Sequence, residues 1–231
     1  MLLNLVMDFI AGELPPHMLL LQFLYSLIAL LLVFPVHEFA HGFVAHLMGD
    51  DTAKYQGRLT LNPLAHIDLF GFLLLLFFGF GWAKPVQIDS RYFKNRRLGT
   101  ICTAAAGPLS NVIFCFLTYL IYGILMSISL QHGIVWLGML SLLFLYMATY
   151  NATFAVFNLI PVPPLDGSKI LGEMLPLKLR FQYYNLERYS SFIFIALIIV
   201  MNRTGFVSIL SEGLLALFTP IVYAITGGLM G

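Results

Sequence analysis

The chain has 231 residues, of which 60% are hydrophobic and only 10% are charged, and its formal net charge is +1 at pH 7. This composition lies far outside the range of soluble globular domains and indicates a protein embedded in a membrane. The near-zero charge gives no indication of a nucleic-acid partner or of an acidic one.

The chain begins with a short apolar stretch and then enters a long one. Residues 1–12 lack the basic start of a cleavable signal peptide, and Glu13, Pro15 and Pro16 interrupt the stretch. We expect a short interfacial or half-buried helix there, with a partial span as the alternative. Residues 18–48 then form an apolar run that is long enough to predict a transmembrane helix.

Two shorter segments follow the first span. Residues 55–61 alternate in the manner of a strand, which predicts a small membrane-associated β element. Residues 69–82 are apolar, but they are only 14 in number and include three glycines. Because a crossing helix needs about 20 apolar residues, this length favours a re-entrant segment.

The remainder of the chain is dominated by further apolar runs. A proline-rich break at residues 161–164 ends the second of them, and residues 165–188 are mixed in a way that is typical of an interfacial segment. We predict an all-α polytopic membrane protein with about five to six transmembrane helices, formed as a single domain over residues 1–231. The runs are residues 98–130, 134–160, 189–201 and 206–230.

The basic residues indicate how the spans are oriented. If the first span runs from outside to inside and residues 69–82 do not cross, then of the 12 Lys and Arg residues only Arg203 lies on the outer side. Cytoplasmic loops carry such an excess of basic residues. The distribution therefore predicts that the chain starts outside, and it favours re-entrance of residues 69–82.

One motif inside the first span predicts chemistry. Residues 37–41 read His-Glu-Phe-Ala-His, so His37 and His41 lie one turn apart on the same face of a helix, where both can reach one metal ion. Glu38 is placed to act as a general base. Ionisable residues at membrane depth are costly and indicate function, so the motif predicts a zinc site within the bilayer.

A catalytic zinc site usually has three protein ligands and a water. Asp166 follows the break at residues 161–164, where exposed backbone at membrane depth must be buried in protein or line a wet cavity. Its carboxylate is a candidate third ligand. The alternative is that Asp166 only caps the helix that begins near Gly167.

Five segments together resemble the site-2 protease family of intramembrane zinc metallopeptidases, in a minimal form without PDZ or CBS domains. They cover roughly residues 18–170 in the family's order, while residues 171–231 match only in being hydrophobic, with a helical pair at residues 189–230. The segments are residues 37–41, 57–63 (Gly-Arg-Leu-Thr-Leu-Asn-Pro), 81–86 (Gly-Trp-Ala-Lys-Pro-Val), 106–111 (Ala-Gly-Pro-Leu-Ser-Asn) and 158–167.

The resemblance implies a role for each matching residue. His37, His41 and Asp166 would bind one Zn2+ per chain, Glu38 would handle protons, and Asn158 would assist at the scissile carbonyl. The region of residues 57–62 resembles a β element that pairs with an unwound substrate, and residues 82–86 resemble a re-entrant loop.

These residues predict an intramembrane zinc endopeptidase that cleaves transmembrane segments of other membrane proteins, as in regulated proteolysis. His41 lies about 10 Å below the end of its span at 1.5 Å per residue, so a water-filled cavity must reach it from the cytoplasmic side. Asn151, seven residues before Asn158, lies on nearly the same helical face and is a candidate to line that cavity.

Three alternatives remain at this point: a peptidase that acts on soluble or membrane-released peptides, a transporter with a polar relay, and a zinc-dependent scaffold. The expected partners are transmembrane protein substrates and the lipid bilayer, with no nucleic acid. The expected location is a cell membrane, as a multi-pass protein, and the small form suggests the plasma membrane of a prokaryote.

Overall fold

A computed structural model describes residues 7, 9–12, 15–78, 81 and 84–227 of the chain. Within these residues the regular structure is helical, with short 3-10 turns at Ser90–Tyr92 and Asn185–Tyr189. The α-helices are α1 (Pro16–Met48), α2 (Thr52–Tyr55), α3 (Pro63–His66), α4 (Leu69–Phe78), α5 (Arg96–His132), α6 (Val135–Asn158), α7 (Asp166–Met174), α8 (Leu177–Tyr184), α9 (Ser190–Thr204) and α10 (Phe206–Thr226).

Among the described residues, five helical stretches are long and apolar enough to cross a membrane, within the predicted range of five to six. Large apolar side chains such as Ile28, Leu32, Ile113 and Leu117 are exposed on their outer faces. A bilayer would cover these side chains, so the exposed surface fits a lipid environment. The five stretches are α1, α5, α6, Leu177–Met201 and α10.

Helices α1, α5 and α6 pack together and form the core. Small side chains at their contacts are fully or almost fully buried, among them Ala29 and Ala45 on α1, Ala104 on α5, and Ala148 and Ala152 on α6. Small residues let transmembrane helices approach closely. This close approach brings the polar residues of the three helices into contact at one level.

The β element predicted for residues 55–61 is not confirmed. Helix α2 ends at Tyr55, a turn follows with Gly57 at φ +67°, and the chain then continues without a strand to α3. The Arg58 guanidinium donates a hydrogen bond to Ala65 O at 2.5 Å, and His66 Nε2 donates one to Thr60 O at 2.8 Å. These contacts fold the segment back onto α3 instead of extending it.

Helix α4 has 10 residues, which at 1.5 Å per residue span about 15 Å, roughly half of a bilayer's hydrocarbon core. It cannot cross alone. The Lys84 N–H donates a hydrogen bond to His66 O at 2.8 Å. The chain after α4 therefore lies next to the end of α3, close to where α4 begins. This contact supports a re-entrant path, which stays a prediction because residues 79–80 and 82–83 lie outside the described residues.

Two other predictions also fall partly outside the described residues. The N-terminal helix was expected over residues 1–12, of which residues 1–6 and 8 are not described. The last apolar run was expected to end at residue 230, and residues 228–231 are not described.

Candidate metal centre

Helix α1 places His37 and His41 side by side at membrane depth. The side chains are one helical turn apart, both are buried, and their Nε2 atoms lie 3.0 Å from each other. The helix has no break between the two residues. The sequence spacing therefore produces the expected pair of imidazoles on one face.

The structure also places the Asp166 side chain next to these two imidazoles, although Asp166 lies far from them in the sequence. Its Oδ2 atom lies 3.3 Å from His37 Nε2 and 3.1 Å from His41 Nε2. Gly167 makes this placement possible, since a Cβ atom there would lie 2.2 Å from Leu159 O. The carboxylate thus faces the imidazoles, as the ligand interpretation requires.

Asp166 Oδ2 is buried, and within the described part of the chain it has no hydrogen-bond donor. The Lys169 ammonium lies 3.7 Å from the other carboxylate oxygen. A buried carboxylate oxygen without a donor is costly, so this atom requires a cation.

The second ring nitrogen of each histidine shows which atoms face the centre. His41 Nδ1 lies 2.7 Å from Thr103 O, and His37 Nδ1 lies 2.5 Å from Asn111 Oδ1. Since a carbonyl oxygen only accepts, both Nδ1 atoms carry the proton and donate. Both Nε2 atoms therefore point unprotonated lone pairs at each other and at Asp166.

This donor set fits zinc. Two neutral imidazoles and one carboxylate form the three-ligand set of several catalytic zinc sites, and a fourth position stays open to water. Helix α5 leaves room for an ion because Gly107, which faces the two rings, has no side chain. A Cβ atom at Gly107 would lie 2.3 Å from His41 Nε2 and 2.6 Å from His37 Cε1.

Glu38 is buried and is held by the backbone of a distant segment. Its Oε2 atom accepts a hydrogen bond from the Val86 N–H at 2.9 Å. The same segment is fixed three residues later, where the Asp89 N–H donates to Asp50 Oδ2 at 2.7 Å. Residues 84–89 therefore lie against the Glu38 carboxylate, which is the predicted proton acceptor.

The two asparagines considered in the sequence have different surroundings. Asn158 is the last residue of α6, and its Nδ2 donates to Phe154 O at 3.1 Å within that helix. Its role at the scissile carbonyl stays a prediction. Asn151 is fully buried and contacts Asn111, which in turn contacts His37.

Sequence reasoning missed three contributors to the centre: the Asn111 side chain, the Thr103 carbonyl and the Val86 N–H. One signal for Asn111 was present, because it lies four residues after Gly107 and therefore on the same face of α5. The two backbone groups have no sequence signal, since every residue type offers a carbonyl oxygen and every type but proline offers an N–H.

A cavity of about 610 Å³ reaches His41 from outside the helical core. Its lining includes Arg96, Arg97 and Lys169, which belong to the predicted cytoplasmic set of basic residues. The cavity gives water a route to the buried donors.

Comparisons with known proteins agree with this chemistry. The sequence model described as "Peptidase family M50" matches residues 126–201. The chain is also similar to three proteins that bear the name "Putative zinc metalloprotease", followed by YwhC, MJ0611 or Rip2. No solved structure matches the chain.

The identities and coverage are substantial for the first two relatives. YwhC of Bacillus subtilis is 38% identical over 175 residues, which are 76% of this chain and 80% of that protein. MJ0611 of Methanocaldococcus jannaschii is 33% identical over 161 residues, 68% of this chain and 73% of that protein. Rip2 of Mycolicibacterium smegmatis is 30% identical over 139 residues, 57% of this chain and 50% of that protein.

A buried His-His-Asp donor set, a neighbouring glutamate and these relatives lead to the same assignment. The chain belongs to peptidase family M50, the site-2 protease family, and is a zinc metalloprotease with membrane-spanning helices.

Proposed function

We propose that this metalloprotease cleaves peptide bonds inside the membrane, within transmembrane segments of other membrane proteins. The observation that carries the proposal is the position of His37, Glu38 and His41, which are buried inside a 33-residue apolar helix. A peptidase for soluble peptides has no need to place its donors and its base at that depth. An intramembrane substrate can be reached only there.

The chemistry we propose starts from the cavity that ends at His41. Zinc, when it is held by His37, His41 and Asp166, polarises a scissile carbonyl and lowers the pKa of water to about 7. Glu38 accepts a proton from the attacking water and passes it to the leaving amine. Because the Val86 N–H occupies Oε2, we assign Oε1 as the oxygen that takes the proton.

Asn158 is the proposed donor to the developing oxyanion. Its Nδ2 donates to Phe154 O in the resting enzyme, so its amide must turn to reach a substrate carbonyl. An amide donor aimed at an oxyanion typically contributes about 3–4 kcal/mol. This contribution would be realised only when the substrate is bound.

A substrate helix hides its peptide bonds, so it must unwind locally before Glu38 and the zinc can act. Glycine or proline near the scissile bond lowers the cost of this unwinding, because both destabilise a helix. We therefore propose that preferred substrates carry such residues within their membrane span.

We also propose a multi-pass arrangement in a cell membrane, with the cavity open to the cytoplasm. Arg96, Arg97 and Lys169 in the lining of the cavity support this orientation, since basic residues accumulate on the cytoplasmic side. The open cavity is also the observation that favours the second candidate, cleavage of soluble or membrane-released peptides.

The proposal is tested with purified protein in liposomes, a panel of single-span substrates, and soluble peptides that contain the same scissile sequences. We expect cleavage of the embedded substrates and little cleavage of the peptides. Faster cleavage of the peptides would favour the second candidate. No cleavage of any embedded substrate by zinc-loaded protein would contradict the proposal.

Two variants test the assigned roles in the same assay. Glu38→Ala should keep its zinc but lose activity by about 10²–10⁴-fold, which is the usual contribution of a general base. Asp166→Ala should lose both zinc and activity. Equal turnover by the wild type and the Glu38→Ala protein would eliminate the mechanism.

A further inference from the structure

We propose that Asn111 and Asn151 are positioning residues that form a hydrogen-bond chain and fix the tautomer of His37, so that its Nε2 is the atom presented to zinc. This inference concerns the metal centre and does not depend on where the substrate lies. It stands or falls separately from intramembrane cleavage.

The chain of contacts is short and buried. His37 Nδ1 lies 2.5 Å from Asn111 Oδ1, Asn111 Nδ2 lies 2.8 Å from Asn151 Oδ1, and Asn151 Nδ2 lies 2.9 Å from Met147 O. Asn111 is 0% exposed and Asn151 is 1% exposed. The contacts connect α1, α5 and α6 at the level of the donor set.

The direction of each hydrogen bond follows from the last contact. Met147 O is a backbone carbonyl and can only accept, so Asn151 must present its NH2 group to it and its Oδ1 to Asn111. Asn111 must then donate through Nδ2, which leaves its Oδ1 for His37. His37 can meet that oxygen only with Nδ1–H, and its Nε2 is left unprotonated.

A comparison with His41 explains why two asparagines are needed to fix the tautomer of His37. Its Nδ1 donates directly to Thr103 O, a backbone acceptor that has no alternative orientation. The acceptor for His37 is a side-chain amide, which can present either its oxygen or its NH2 group. Asn151 removes that choice, because the reversed orientation of Asn111 would place its Oδ1 against Asn151 Oδ1.

Residues that orient a metal ligand through its second nitrogen typically change metal affinity by about 10- to 100-fold when they are removed. We expect this loss in Asn111→Leu, which keeps the approximate size of the side chain but offers His37 no acceptor. Asn151→Leu should cause a smaller loss, since Asn111 remains but is free to turn. The measurement is zinc affinity by competition with a chelator.

A second pair of variants separates positioning from a merely structural role. In Asn111→Asp both side-chain oxygens accept, so His37 keeps its acceptor in either orientation, and zinc affinity should be clearly higher than in Asn111→Leu although the second oxygen meets Asn151 Oδ1. For the same reason Asn151→Leu should cause no further loss of zinc affinity in the Asn111→Asp background. A packing defect at Asn151 would lower the affinity equally in both backgrounds.

Ser110→Ala is the matched control on α5. Its hydroxyl donates only to Gly107 O of the same helix in this structure, so zinc affinity should not change. Thermal unfolding of the zinc-free proteins reports separately on folding.

Three results would overturn the proposal: wild-type zinc affinity in Asn111→Leu, affinity in Asn111→Asp as weak as in Asn111→Leu, or an equal effect of Asn151→Leu in both backgrounds. If Asn111→Leu does not fold, the two Asn111→Asp proteins still decide between positioning and packing.

Discussion

Gly107 determines how closely α5 can approach the two imidazoles. A Cβ atom at this position would lie 2.3 Å from His41 Nε2 and 2.6 Å from His37 Cε1, far inside ordinary contact distance. Neither ring can simply move away, because Thr103 O and Asn111 Oδ1 hold the opposite sides. A glycine is therefore required here for space and not for an unusual backbone conformation.

We predict that Gly107→Ala loses its zinc and its activity while the helices remain folded. The added methyl group displaces the rings or occupies the space between the donors, and both effects remove the site. Zinc content per purified chain and circular dichroism measure the two parts of this prediction.

Gly213→Ala on α10 is the matched control for Gly107→Ala. A Cβ atom at Gly213 would have no atom within 4 Å, so this protein should keep both zinc and activity. A fully zinc-loaded and active Gly107→Ala protein would show that the rings are not confined as the structure places them.

At the scale of residues, the sequence predicted the candidate metal ligands and the base, but not the groups that hydrogen-bond to them. His37, Glu38 and His41 stand in one helical motif, and Asp166 follows the proline-rich break that makes it a candidate third ligand. The partner of His37 is 74 residues away and the donor to Glu38 is 48 residues away. Such contacts depend on how α1, α5 and residues 84–89 pack, which residue spacing alone does not specify.

Among the elements, the segment of residues 84–89 should have the largest effect on activity, because it contacts the predicted base Glu38. It is fixed where Val86 N–H meets Glu38 and where Asp89 N–H meets Asp50. Asp50 is fully buried, and its other oxygen accepts from the Thr52 backbone N–H and hydroxyl group. Asp50 therefore joins the end of α1 to the segment that holds the base.

We predict that Asp50→Asn lowers cleavage by about 10- to 100-fold without loss of zinc. The new NH2 group faces either the Asp89 N–H or the Thr52 donors, and donors do not pair with one another. The unsatisfied group should lower the free energy of unfolding by about 1–3 kcal/mol and let the segment shift relative to Glu38. A small misplacement of a catalytic group has a large effect on rate.

The control for Asp50→Asn is the same substitution at the next residue. Asp51 is only partly buried and contacts His46, away from residues 84–89, so Asp51→Asn should have near wild-type turnover. Equal turnover by the two variants, or loss of zinc in Asp50→Asn, would contradict the proposed connection to Glu38.

At the scale of elements, the apolar runs predicted the spans and the alternating run at residues 55–61 predicted a strand that is not confirmed. Long hydrophobic stretches have one stable solution in a bilayer, because a helix satisfies its own backbone. Residues 55–61 are short, contain a left-handed glycine at Gly57, and have no neighbouring strand within the described residues. Local turn chemistry and the Arg58 and His66 hydrogen bonds then determine their path.

The whole molecule places its polar groups at one end of a three-helix core. His41 lies seven residues before the end of α1, Thr103 lies seven residues after the start of α5, and Asp166 follows the end of α6. Their contacts with one another place all three on one side of the core. If that side is the cytoplasmic one, as we propose, then α4 must return to the side from which it starts.

Cysteine labelling of intact cells tests that path. In a background with Cys102→Ala and Cys115→Ala, we introduce Lys54→Cys before α4, Lys94→Cys after it, and Arg203→Cys in the last turn of α9, all at exposed positions. A membrane-impermeant maleimide should label the third position in intact cells, and the first two only after permeabilisation. Since Lys54 and Lys94 flank α4, a crossing α4 would make them differ in labelling. That result would place residues 54 and 94 on opposite sides of the membrane and refute the re-entrant arrangement of residues 69–82.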